Sequence, residues 1–131
     1  MNSRKQLIAI VDDDASIRKS FKRLLVGSGF DVETFASGTE FLASVETRSP
    51  DVVVLDMYMP NLNGLQVQER LATARRCIPL VFITAHDNPA LRAQALAGGA
   101  AGYFDKPVRK EILLPALYKA MKAGSPTAPE S

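Results

Sequence analysis

Several absences narrow the function before any motif is considered. The chain has one cysteine, Cys77, so an internal disulfide is impossible. A reducing cytosol is the compartment this suits. Arg75 and Arg76 precede Cys77 and could lower its pKa, but the position reads first as a small apolar filler. The formal net charge is only +2, and the basic residues form no run. Neither fact supports direct nucleic-acid binding or a membrane-surface role. No stretch is long and apolar enough to cross a bilayer. Met1 to Gln6 is polar and lacks the layout of a signal peptide. No segment recurs at a fixed period, which excludes a solenoid. What remains is a chain of 131 residues, enough for one domain with a real core.

The most informative stretch is Val52-Val53-Val54-Leu55-Asp56-Met57-Tyr58-Met59-Pro60. Four apolar residues, three of them β-branched, run unbroken into a single carboxylate. Such a run reads as a strand buried on both faces of a parallel sheet. Asp56 then stands at its carboxyl end, the edge where open α/β sheets bind ligands. Taken alone, Asp56 is equally a carboxylate that merely ends a strand.

The rest of the chain supplies the context. Leu7 to Val11 is another apolar run, and it ends in Asp12-Asp13-Asp14. Ile17, Phe21, Leu24 and Leu25 then recur at helical spacing, with Gly27 or Gly29 as the stop. Asp31 to Phe35 alternates as a short strand, and Ser37-Gly38-Thr39-Glu40 fits a capping box before Phe41, Leu42 and Val45. After Gly64, a helical face carries Val67, Leu71 and Ala74. Leu80 to Ile83 is a fourth buried strand ending at Thr84. Asn88-Pro89 reads as an N-cap and first helical residue, and Gly98-Gly99 closes that helix. Ala101 to Phe104 is a brief fifth strand. A last helix presents Leu113, Leu117, Ala120 and Met121, with Pro115 expected to distort it. Residues 1–122 thus form one domain, and 123–131 read as a disordered tail or linker. Five alternating strands and helices imply a doubly wound parallel sheet with right-handed crossovers.

In that architecture the strands deliver Asp12, Asp13, Asp56, Thr84 and, just beyond the fifth strand, Lys106 to one edge. Three crowded carboxylates repel one another unless a cation joins them. Magnesium fits best, since it takes one or two carboxylates plus several waters. A lysine and a hydroxyl nearby complete a site for a tetrahedral anion. A carboxylate there can attack phosphorus and become an aspartyl phosphate. Each residue also has a plain reading alone. The Asp triplet could be helix-capping charge, Thr84 a common strand-end residue and Lys106 a solvated surface charge. Four strands contributing together is far more specific.

The motifs Ile10-Val11-Asp12-Asp13-Asp14, Leu55-Asp56-Met57-Tyr58-Met59-Pro60, Ile83-Thr84-Ala85 and Gly99-Ala100-Ala101-Gly102-Tyr103-Phe104-Asp105-Lys106-Pro107 carry a resemblance. In that order the chain resembles the receiver domain of bacterial two-component response regulators, over residue 5 to about residue 122. It is most similar to the FixJ/NarL-like branch. The resemblance implies a flavodoxin-like, CheY-like (βα)5 fold with strand order 2-1-3-4-5. It implies Asp56 as phosphoacceptor, with Asp13 and Asp56 binding Mg2+ directly and manganese able to substitute. Asp12 would act through a water, and the main-chain carbonyl of Tyr58 would be a further ligand. Thr84 and Lys106 would contact the phosphoryl group. Thr84 and Tyr103 would form the switch, with Tyr103 outward at rest and inward when phosphorylated. Lys106-Pro107 is expected to be cis. A sensor histidine kinase would be the donor. A phosphorylation-dependent homodimer, or a C-terminal DNA-binding output domain not in this chain, would receive the signal, so a role in transcription regulation is open. Such a module is cytoplasmic. It is a signalling protein rather than an enzyme, although it assists its own phosphotransfer and autodephosphorylation.

The sequence departs from the family where Val108 follows the Lys-Pro pair in place of a common Phe. Tyr58 and His86 flank the phosphoryl entrance, where Tyr58 could slow attack by water. His86 reads as an exposed loop residue. Three other classes fit less well. A haloacid-dehalogenase-like phosphatase needs a second Asp where Tyr58 stands. A flavin or nucleotide domain on this scaffold needs a Ser/Thr/Gly-rich loop where Asp12-Asp13-Asp14 stands. A degenerate receiver would lack some of the five key polar residues, and all five are present.

Overall fold

Each buried apolar run is a strand of one parallel sheet. The structure is a computed structural model and describes residues 5–123. The elements in order are β1 (Leu7–Val11), α1 (Ala15–Gly27), β2 (Asp31–Phe35), α2 (Gly38–Val45), β3 (Val52–Asp56), α3 (Gly64–Thr73), β4 (Leu80–Thr84), α4 (Pro89–Ala97), β5 (Gly102–Asp105) and α5 (Lys110–Ala123). The sheet has the order β2-β1-β3-β4-β5, all pairs parallel. This is the flavodoxin-like arrangement.

Side chains alternate across a strand, so each strand feeds two cores. Ala9, Val11, Val53, Leu55 and Phe82 pack beneath Phe41, Val45, Val67, Leu71 and Ala95 of α2, α3 and α4. Ile8, Ile10, Val52, Val54, Val81 and Ile83 face the other way, onto Leu25 of α1 and Leu113 and Leu117 of α5. The central strands β1, β3 and β4 are buried at every position, whereas the edge strand β2 is half-buried throughout. Burial on both faces is why their sequences run apolar without alternation.

Helix ends follow local chemistry. Asn88 Oδ1 accepts from the main-chain N–H groups of Ala90 and Leu91, and Pro89 occupies the first turn of α4. Ser37 caps α2 through Glu40 N, but the Glu40 carboxylate accepts from Ala36 N instead of closing the box onto Ser37. The reciprocal capping box stands at α3, where Asn63 and Gln66 each accept the other's N–H at 2.9 and 2.8 Å.

Four expectations need correction. β5 spans Gly102–Asp105, because Ala101 is exposed and only its N–H joins Leu80. α5 continues unbroken through Pro115 to Ala123, one residue past the expected boundary. The proline cannot donate to its i−4 carbonyl, yet Leu113 and Leu117 stay fully buried around it. Cys77 is exposed, not packed as a filler. Ala74 is the exposed C-cap of α3 and lies off the core face. Met121, half-buried, packs against the same core as Leu113, Leu117 and Ala120, as its spacing implies. Residues 124–131 of the expected tail lie outside the described residues. Among the described residues, no helix is long and apolar enough to cross a membrane.

Candidate functional site

Parallel strands place all their carboxyl ends on one edge, and the polar residues of four of them, β1, β3, β4 and β5, meet there. The aspartate triplet divides into three roles. Asp14 is the N-cap of α1, accepting from Ser16 N at 2.8 Å and Ile17 N at 3.3 Å. Asp12 is only 3% exposed. Its carboxylate accepts from Asp14 N at 2.9 Å and from Lys106 Nζ at 2.8 Å, and its carbonyl accepts from Arg18. Asp13 is exposed.

Asp56 ends β3 and is also buried. Its Oδ1 lies 3.5 Å from Lys106 Nζ and 3.4 Å from the N–H of Tyr58. One oxygen from each of Asp12, Asp13 and Asp56 lies within 4.8 Å of the others. Burial pushes the Asp56 carboxyl up to about 6, and the neighbouring Asp12 charge pushes the same way. Lys106 and the Tyr58 amide pull it back, but not enough. Burial alone would lower the Lys106 ammonium, but its bond to Asp12 and the charges of Asp56 and Asp12 outweigh that and raise it. The lysine therefore stays charged among three carboxylates that exceed it in charge. That surplus of negative oxygen suits a hard divalent ion.

Gly64 lets the loop after β3 close over Asp56. A Cβ there would stand 2.9 Å from the Asp56 carbonyl oxygen and 2.9 Å from the Phe82 ring. The Gly64 N–H donates to Met57 O at 2.9 Å, which fixes the turn. The Lys106–Pro107 peptide bond is cis. Lys106 N donates to Thr84 O at 2.7 Å, joining the ends of β5 and β4.

Thr84 is fully buried. Its hydroxyl donates to His86 O at 3.1 Å and accepts from His86 N at 3.2 Å, so it is engaged with its own loop. His86 is exposed and lies edge-on to the 40%-exposed Tyr58, with ring centroids 6.1 Å apart.

Tyr103 was expected outward at rest. Here it is inward, 6% exposed, against Phe82. Its hydroxyl is buried with no hydrogen-bond partner among the described residues. An unpaired buried phenol of this kind costs about 1–3 kcal/mol. Burial also raises the Tyr103 pKa, so the phenol is neutral. Two contacts found here leave no mark in the sequence pattern. Arg92 stacks over the Tyr103 ring, and Lys106 binds Asp12 more closely than Asp56. Both are contacts between residues far apart in the chain, which no local pattern encodes.

A 2-1-3-4-5 parallel sheet with an acidic, lysine-bearing pocket at its carboxyl edge defines a signalling receiver of the response-regulator class. The chain belongs to that family: residues 8–118 match the response regulator receiver domain. It is therefore a receiver domain of two-component systems. Response regulator protein TmoT of Ectopseudomonas mendocina is 37% identical over 122 residues, which are 93% of this chain and 56% of that protein. Response regulator protein TodT of Pseudomonas putida is 35% identical over the same share of this chain and 54% of its own length. The chain thus spans about half the length of these curated relatives. Among solved structures, response regulator StyR shares 36% identity with a TM-score of 0.82, covering 92% of this chain and 61% of that one. FixJ-N shares 29% identity with a TM-score of 0.83, covering 92% of this chain and 96% of that one.

Proposed function

We propose that this receiver accepts a phosphoryl group on Asp56 from a phosphohistidine of a sensor kinase. The observation that carries the reading is the convergence of Asp12, Asp13, Asp56, Thr84 and Lys106 on one edge, with three carboxylate oxygens within 4.8 Å. Asp13 and Asp56 would hold Mg2+, or Mn2+ in its place, together with the Tyr58 carbonyl, and Asp12 would act through a water. The cation supplies charge neutralisation between two anions that must meet.

The chain's own residues do the rest. An Asp56 carboxylate oxygen attacks phosphorus; the P–O bond forms as the donor's P–N bond breaks, and the imidazole leaves with the electron pair. The Lys106 ammonium, bonded to Asp12 and 3.5 Å from Asp56, lies within reach of a phosphoryl oxygen on Asp56, with which it would pair. Return to the carboxylate occurs when water attacks phosphorus and inorganic phosphate departs, a step the exposed Tyr58 ring beside the entrance would slow.

The phosphoryl group offers Thr84 a charged acceptor in place of the His86 carbonyl. If the hydroxyl turns, that carbonyl loses its donor, while the buried Tyr103 hydroxyl has no partner among the described residues. The two groups thus share one bistable arrangement that phosphorylation biases. The surface so altered is α4, β5 and α5, including Leu91, Arg92, Tyr103, Arg109 and Lys119. It would serve a homodimer or a C-terminal output domain, in keeping with relatives about twice as long.

Intact-protein mass spectrometry with acetyl phosphate tests the chemistry. Wild type should gain one phosphate with Mg2+ and none with chelator, and Asp56→Asn should gain none. An equal adduct on Asp56→Asn, or one indifferent to chelator, would contradict the assignment.

A further inference from the structure

The Tyr103 ring stays inward although its hydroxyl has no partner. Burial of the ring against Phe82 accounts for one side only, at 6.1 Å between centroids. Over the ring lies the Arg92 guanidinium carbon, 5.1 Å from the centroid. Arg92 is itself exposed, so it caps the ring from solvent. Among the described residues it makes no ion pair that would compete for its charge.

From this we infer that Arg92 is a positioning residue that latches Tyr103 inward through a cation–π contact. The role deepens the proposed switch, and its importance for signalling rests on that reading. The latch is built on a fixed support. Asn88 caps α4, and the Arg92 N–H bonds Asn88 O at 2.9 Å, which seats the arginine one turn into the helix. The loop from Thr84 to Asn88 joins the buried hydroxyl to that support. A turn of Thr84 toward a phosphoryl group therefore acts on the loop that leads to this support. It frees the His86 carbonyl in that loop and would shift the platform that carries the guanidinium. The charge is what holds the ring, since a planar cation attracts the negative face of an aromatic. A neutral side chain of similar length cannot replace it.

Fluorine NMR of the full chain labelled with 3-fluorotyrosine reads the latch directly. The Tyr103 signal is assigned by its loss in Tyr103→Phe, and its exposure is measured with a soluble paramagnetic agent. Arg92→Gln should raise the outward-to-inward ratio about two- to fivefold, the effect of one cation–π contact at an exposed site. Arg92→Lys should fall between that variant and wild type. An unchanged ratio in Arg92→Gln overturns the latch, and so do equal shifts in the Gln and Lys variants, which would make stem packing the cause. Adding Mg2+ and beryllofluoride separates the two readings. A latch effect without any response of Tyr103 to beryllofluoride leaves the latch standing and removes the phosphoryl coupling.

Discussion

At the amino edge of the sheet, every charge noted is matched in the open. Asp51 accepts the Leu7 N–H at 2.7 Å, Arg48 pairs with Asp31 and Glu33, and Arg76 pairs with Glu46, all at least partly exposed. At the carboxyl edge, two buried aspartates share one lysine, Asp56 is pushed up to about 6, and a phenol lies buried without a partner. The same fold thus spends one edge on stability and loads the other with strain. Charge crowding of this kind persists where it serves chemistry. On the proposed function, a cation or phosphoryl group would relieve that crowding of charge.

Variants at the two edges should separate cleanly. Lys106→Met should have the largest effect. It leaves Asp12 buried at 3% exposure with no cationic partner. Removing one member of a buried pair costs about 3–5 kcal/mol, and the partly exposed lysine places this case near the lower end. Urea unfolding in chelator would measure it. A loss below about 1 kcal/mol would erase the contrast. Gly64→Ala should cost about 1–3 kcal/mol, because its Cβ meets backbone at 2.9 Å. Gly27→Ala at the opposite edge, with nothing within 4 Å of the added carbon, should be neutral or slightly stabilising in the same assay. Tyr103→Phe removes the unpaired hydroxyl and should gain about 1 kcal/mol. A loss on that substitution would mean the hydroxyl has a partner in solution. Arg48→Ala should have the smallest effect, less than about 1 kcal/mol, as for other exposed pairs, and should shrink further in salt.

What the sequence could reveal follows the same division. Buried strands are legible because burial on both faces demands unbroken apolar runs; β1, β3 and β4 begin where those runs do, and β3 and β4 each end on the polar residue that follows, Asp56 and Thr84. The convergence of Asp12, Asp13, Asp56, Thr84 and Lys106 follows from topology once the alternation is read. The fifth strand was misplaced by one residue because Ala101 and Gly102 differ little in apolar character, and pairing with Val81 decides between them. The box at α3 is legible as Asn63 and Gln66 three apart, but Gly64 between them is the stronger turn signal and hides it. Cys77 could not be placed, since one small residue after two arginines carries no periodicity. The grip of Lys106 on Asp12 and the stack of Arg92 on the inward Tyr103 depend on side-chain geometry across 94 and 11 positions of chain, respectively.

The strain at the carboxyl edge is tested most directly by the stability of wild type and Asp56→Asn across pH, with chelator and with Mg2+. Folding raises the Asp56 pKa from 3.8 to about 6, so the folded state binds more protons than the unfolded state between those values. Stability of wild type should therefore fall as pH rises from about 4 to about 6 and stay reduced above, and this component should be absent from Asp56→Asn. In chelator at pH 7 the asparagine variant should be more stable by roughly 2–3 kcal/mol, the equivalent of that shift. Mg2+ should stabilise wild type and narrow the gap, because the ion favours the charged carboxylate. An Asp56→Asn variant no more stable than wild type in chelator, with Mg2+ leaving both unchanged, would contradict a strained edge held ready for a cation.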